Sequence, residues 1–87
     1  MNIRYTVKND WGNILCCVVD GEKDLTSQLE EVLCIRHGNG IGVVVREAEI
    51  EVTDYYHGSS MASFAILSRE ETQEPVSQRW TYLEDNN

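Results

Sequence analysis

The sequence has little of several features that mark specialised protein classes. Its 87 residues include 7 lysines and arginines against 15 aspartates and glutamates, for a net charge of −8. Nucleic-acid binders need clustered cations to displace counterions from phosphates, so this balance argues against direct nucleic-acid binding. No apolar run approaches the roughly 18 residues of a membrane span, and residues 1–4 lack the apolar core of a signal peptide. We therefore expect a cytosolic protein without membrane association.

Cysteine and histidine are also sparse, at three and two residues, and they lack the short spacings of a metal site. Cys16 and Cys17 are adjacent in a predicted strand, so their side chains point to opposite faces and cannot readily pair. Together with Cys34 they are predicted to be reduced, mostly buried thiols. A cysteine, a histidine and Asp54 could supply a nucleophilic site, but no local signature joins them. We predict neither an enzyme nor a bound metal or cofactor.

Hydrophobic periodicity predicts one α+β domain over residues 1–84, followed by a frayed tail at 85–87. Leu, Ile, Val and Phe together make 22 of the 87 residues, enough for one thin core. The expected fold is an antiparallel sheet of about five strands with one helix on one face, in the order β-β-α-β-β-β. The last three strands are expected to form an antiparallel meander. The predicted strands after the helix are Val43–Tyr56, Met61–Ser68 and Val76–Leu83.

The first two strands are predicted to form a hairpin. Ile3, Tyr5 and Val7 alternate with polar residues, which is typical of a half-buried strand. A turn at residues 9–13 follows, in which Gly12 can take a positive φ. Residues 14–19 are apolar on both faces, which favours a central strand.

A single helix is predicted from Asp24 to about Ile35. Asp24 or Thr26 can cap its first turn, and its apolar stripe consists of Leu25, Leu29, Val32 and Leu33. Gln28, Glu30 and Glu31 are expected to point away from the sheet, and Arg36, His37 and Gly38 to close the helix. The glycines of residues 38–42 follow a helix and open a strand. Since phosphate-binding loops have the reverse order, we interpret these glycines as a helix cap and a turn.

The acidic residues carry the most functional information. Glu47, Glu49 and Glu51 are predicted to form a ladder on one side of a strand, spaced by about 6.7 Å, with Ala48, Ile50 and Val52 on the core side. Like charges in a row destabilise the fold unless a cationic partner meets them; the alternative is a solvated strand face that aids solubility. Among the aromatics, Trp80 and Tyr82 are expected to cap the core. The predicted partner-binding residues are Glu47, Glu49, Glu51, Asp54, Trp11, Tyr55 and Tyr56.

Small, acidic α+β domains without catalytic motifs commonly act by covering the surface of another protein. The chain is similar in type to anti-CRISPR and anti-restriction proteins of phages and mobile elements, although no motif is diagnostic. The first hypothesis is an inhibitor of a bacterial nucleic-acid-processing complex, in which carboxylates stand in for phosphates on a basic protein surface. The alternative is an immunity protein that neutralises a toxin, such as a nuclease. An enzyme and a structural subunit are the remaining hypotheses.

Overall fold

The structure, a computed structural model, describes residues 1–33, 40–54 and 56–84. Within these ranges one helix and six strands form a single α+β domain, as the sequence predicts. The elements are β1 (Asn2–Lys8), β2 (Ile14–Asp20), α1 (Leu25–Val32), β3 (Ile41–Val45), β4 (Glu49–Asp54), β5 (Ser59–Thr72) and β6 (Thr81–Glu84). The sixth strand arises because the long strand predicted at residues 43–56 is instead the hairpin of β3 and β4.

The strands are antiparallel and lie in the order β3-β4-β5-β1-β2-β6. The predicted hairpin of β1 and β2 is confirmed, with Gly12 at φ 85° in its turn. The predicted meander at the end of the chain is wrong. β5 pairs with β4 on one side and with β1 on the other, and β6 crosses to the far edge to pair with β2. The first strand of the chain therefore lies inside the sheet.

The core lies on the face of the sheet that carries α1, which we call the inner face. Tyr5 and Val7 of β1 point to this face and are buried, as their alternation predicts. Leu29 of α1 and Ile50 of β4 are fully buried within the same cluster. The helix contacts both β2 and β3, although three strands separate them in the sheet. The sheet therefore curves around the helix.

The helix begins where the sequence predicts. The Asp24 carboxylate accepts hydrogen bonds from Ser27 N at 2.9 Å and from Ser27 Oγ at 2.7 Å, an N-cap that occupies a free amide of the first turn. The helix ends at Val32, with Leu33 as its C-cap. The predicted continuation through residues 34–38 lies outside the described residues, as does Cys34.

Two polar helix residues do not point into solvent as predicted. Glu30 is buried and Gln28 is half-buried, because a short helix held in a curved sheet is covered over more than one stripe. The Gln28 side chain binds the backbone at the end of β2: its Oε1 accepts from Asp20 N at 2.7 Å and its Nε2 donates to Asp20 O at 2.9 Å. Ser77 binds Val18 in a similar way: its Oγ accepts from Val18 N and its backbone N donates to Val18 O, both at 2.9 Å. These hydrogen bonds satisfy backbone N–H and C=O groups of β2 at positions that do not pair with β6.

The end of the chain differs most from the prediction. Residues 69–72, expected in a loop, extend β5 because they pair with β1, and Arg4 forms an ion pair with Glu70 at 2.9 Å. Arg4 also binds Glu74 at 2.6 Å, which ties the following segment to the outer face of the sheet, opposite α1. The strand expected from Val76 begins only at Thr81.

Candidate functional site

The predicted ladder of three glutamates is broken by a turn. Glu47 lies between β3 and β4, outside either strand, and Ala48 is exposed instead of pointing to the core. Arg46 N donates to Glu49 O at 2.8 Å, which closes the turn. Arg69 Nη2 donates to the carbonyl oxygens of Arg46 and Glu47 at 3.3 and 2.6 Å, and so holds the turn from β5. Glu47 therefore lies in the turn before β4, whereas the other two members of the ladder, Glu49 and Glu51, lie within β4.

Glu49 and Glu51 do share the outer face of β4, and the fold adds Asp10 to them. Asp10 is in the turn between β1 and β2, and its Oδ2 accepts from Ser63 N at 3.3 Å. Ser63 Oγ donates to Glu49 Oε2 at 3.3 Å, and the residue that pairs with Ser63 across the strands is Glu51. We call Asp10, Glu49 and Glu51 the acidic patch.

Few cations lie near the acidic patch in the part of the chain that the structure describes. Arg46 Nε is 3.6 Å from Glu49 Oε1, with both side chains substantially exposed, a geometry that contributes little to stability. Lys8 shares the outer face but is separated from Glu49 by Ala65 of the intervening strand. The Glu51 carboxylate accepts from Thr53 Oγ1 at 3.1 Å. The patch thus carries an excess of negative charge on a rigid sheet.

Two other predicted partner-binding residues, Asp54 and Tyr56, lie at a separate turn. Asp54 stabilises the turn that follows β4. Its Oδ1 accepts hydrogen bonds from the backbone N of Tyr56 at 3.0 Å and from that of His57 at 3.3 Å. His57 Nδ1 lies 2.8 Å from Asp54 Oδ2, and this hydrogen bond lowers the pKa of Asp54. Tyr56 is exposed in the same turn, and Tyr55 lies outside the described residues.

A groove on the inner face was missed by the sequence analysis. It has a volume of about 330 Å³ and is lined on its walls by Leu15, Phe64 and Trp80, with Trp11, Met61 and Tyr82 at its rim. We call it the aromatic groove. The rings of Phe64 and Trp80 stack with centroids 5.7 Å apart. Trp80 packs against the core as expected, but Tyr82 does not cap it, because 56% of its surface is exposed.

The side chains that could support catalysis include possible metal ligands and the two described cysteines. Across residues 1–33, 40–54 and 56–84, no group of three His, Cys, Asp or Glu side chains could hold a metal ion. Burial raises the pKa of the Cys17 thiol to about 12, so this cysteine is not a thiolate near neutral pH. Cys16, on the opposite face of β2, is half-buried and its pKa is also raised by desolvation.

The chain matches no protein-family model, no curated protein and no solved structure. Its function must therefore be inferred from its own surface. Among the described residues, no helix has the length and apolar character needed to cross a membrane.

Proposed function

We propose that this domain is a small acidic inhibitor that covers a basic surface of a bacterial nucleic-acid-processing complex in the cytosol. Proteins of this type, such as anti-CRISPR and anti-restriction proteins, are encoded by phages and mobile elements. The observation that supports the proposal is the convergence of Asp10 and Glu49 on Ser63, with Glu51 beside them. Carboxylates held together in this way present to a cationic groove the charge that phosphates would otherwise supply.

The setting of the acidic patch favours binding over mere solubility. Glu49 and Glu51 flank Ile50, which is fully buried on the opposite face of β4. Each patch carboxylate also accepts a hydrogen bond, at 3.1 to 3.3 Å. These contacts limit side-chain motion, so a partner would meet charges that are already ordered and the entropy cost of association would be lower. Mutual repulsion within the patch would be relieved by a cationic partner.

The same patch would also suit the basic substrate cleft of a nuclease toxin, so an immunity protein remains the alternative. The two functions differ in the partner. Capture of the partner from a bacterial lysate with the tagged domain, followed by mass spectrometry, separates them. A nucleic-acid-processing complex of the host supports the inhibitor, and a toxin supports the immunity protein.

The acidic patch itself is tested with the captured partner. The variant Asp10→Asn, Glu49→Gln, Glu51→Gln removes three charges but keeps the oxygen acceptors. The matched control, Glu22→Gln, Glu31→Gln, Glu71→Gln, makes the same change in net charge at exposed positions outside the patch. We expect the patch variant alone to slow association and to flatten its decline between about 0.01 and 0.15 M ionic strength. Equal association rates for the two variants would contradict the proposal.

A further inference from the structure

The aromatic groove exists because β5 runs past the end of its neighbour. β1 pairs with β5 only from Ala65 onward, so residues 59–64 of β5 have β4 on one side and no strand of the described chain on the other. The turn between β1 and β2 and the start of β6 face this open side. The inner face is therefore open here, beyond the reach of α1, and Phe64 and Trp80 form an apolar wall next to solvent.

The rim of the groove exposes large apolar side chains carried on ordered backbone. Trp11 is 86% exposed and Met61 is 57% exposed. The turn that carries Trp11 is held by Asn9, whose Oδ1 accepts from Trp11 N at 3.0 Å and from Asn13 N at 2.9 Å. Exposed aromatic side chains on an ordered backbone are typical of the residues that dominate protein–protein binding energy.

The groove, on the inner face, and the acidic patch, on the outer face, meet at the unpaired edge of β5 through Asp10. Asp10 lines the groove, and the same carboxylate accepts from Ser63 N. Ser63, which also lines the groove, donates its hydroxyl hydrogen to Glu49. Negative charge therefore begins at the wall of the groove with Asp10 and continues around the edge of β5 to Glu49 and Glu51 on the outer face of β4. Among the described residues that line the groove, Asp10 is the one that carries a carboxylate.

We infer that the aromatic groove binds a segment of the partner protein in which a bulky apolar side chain stands next to a lysine or arginine. The apolar side chain enters between Trp11, Met61 and Tyr82, and the cation meets Asp10. Charge complementarity selects this occupant, because the apolar walls adjoin the Asp10 carboxylate, which forms no ion pair within residues 1–33, 40–54 and 56–84. The inference rests on the proposed function in so far as the partner is a basic protein, and it names the local chemistry by which that partner is held.

The test is a selection of random displayed peptides against the full chain, with binding of the best peptide then measured in solution. The groove variant is Trp11→Ala, Met61→Ser, which changes only exposed side chains. The control is Leu67→Ser, at an exposed apolar residue of β5 that does not line the groove. Thermal melting of each variant verifies that it is folded.

We expect the selected peptides to share a bulky apolar residue beside a lysine or arginine. The groove variant should weaken binding of the best peptide about tenfold or more, as loss of a hot spot does, and Leu67→Ser should not. Asp10→Asn should relax the preference for a cation. Selection of no peptides, or of apolar peptides without cations, would overturn the inference. So would self-association of the parent chain that the groove variant abolishes, because the groove would then bind a second copy.

The two proposals fail in different ways. If the groove variant keeps its affinity for the peptide, the groove inference is wrong whatever the acidic patch does. If the patch variant captures its partner from a lysate as well as the charge-matched control does, the proposed function is wrong even when the groove binds peptides.

Discussion

Replacement of Leu29 by alanine should destabilise the protein more than any other single truncation on α1. Leu29 is fully buried, at 0% exposure, and it joins the helix to the inner face of the sheet. The other apolar side chains of α1 lose less on truncation, because Leu25 is only half-buried and the buried Val32 is one carbon atom smaller. Because the helix contacts β2 and β3 at once, the space left by the side chain is bounded on both sides by strands and cannot easily collapse.

The magnitude follows from the atoms removed. The change deletes three buried carbon atoms, which amounts to about 2.4 kcal/mol at roughly 0.8 kcal/mol for each. A cavity that does not collapse adds to this, so we expect a total of about 3–5 kcal/mol. A chain of this length has a free energy of unfolding of about 4–13 kcal/mol. The variant therefore loses a large share of its stability.

The measurement is equilibrium urea denaturation of the parent, Leu29→Ala and the control Leu67→Ala. Leu67 is 53% exposed at an irregularity of β5, so its truncation should change the free energy of unfolding by no more than about 0.5 kcal/mol. The midpoint should fall for Leu29→Ala with the slope nearly unchanged. A midpoint no lower than that of Leu67→Ala would show that α1 does not pack on the sheet through this residue.

Three further predictions concern the sheet and its turns. Arg69→Ala should increase amide exchange at Glu47 and Ala48, because the guanidinium that binds the turn carbonyls is lost; unchanged exchange would mean that the turn holds itself. Since the folded state lowers the pKa of Asp54 below 3.8, its contribution to stability is present above that pH and is lost as the pH falls through the folded pKa. The melting temperatures of the parent and Asp54→Asn should therefore differ at neutral pH and converge in acid, and a difference independent of pH would contradict this. Cys17 should resist iodoacetamide until the protein unfolds, as judged by mass spectrometry, and excess reductant should leave the melting temperature unchanged.

The local features of the fold were predictable from sequence because they depend on neighbours in the chain. Alternation placed Tyr5 and Val7 on the inner face, and Asp24, one of the two predicted capping residues, marks the start of the helix. The turn at residues 46–48 was not predictable in the same way. It contains no glycine or proline, and the alternation of glutamates with apolar residues continues through it. The contact that holds it comes from Arg69, which is more than 20 residues away.

The candidate site was predicted only in part for the same reason. Glu49 and Glu51 share a face because they are two residues apart in one strand. Asp10 joins them through Ser63, a residue that no spacing rule connects to either side. The aromatic groove depends on the end of β1 relative to β5 and on the return of the chain to β2. Both are set by long-range strand pairing, which a local pattern does not encode.

The central position of β1 has a consequence for the order in which the protein folds. Asn2 pairs with Thr72, so β1 gains its second neighbour in the sheet only after residues up to Thr72 have been synthesised. Until then both edges of the β1–β2 hairpin are unpaired, because β6, which pairs with β2, follows β5 in the chain, and a hairpin alone is marginally stable in water. Long-range pairing of this kind slows folding. The β1–β2 hairpin must therefore persist without these partner strands while they are being made, and in that interval its unpaired edges can contact chaperones or other chains.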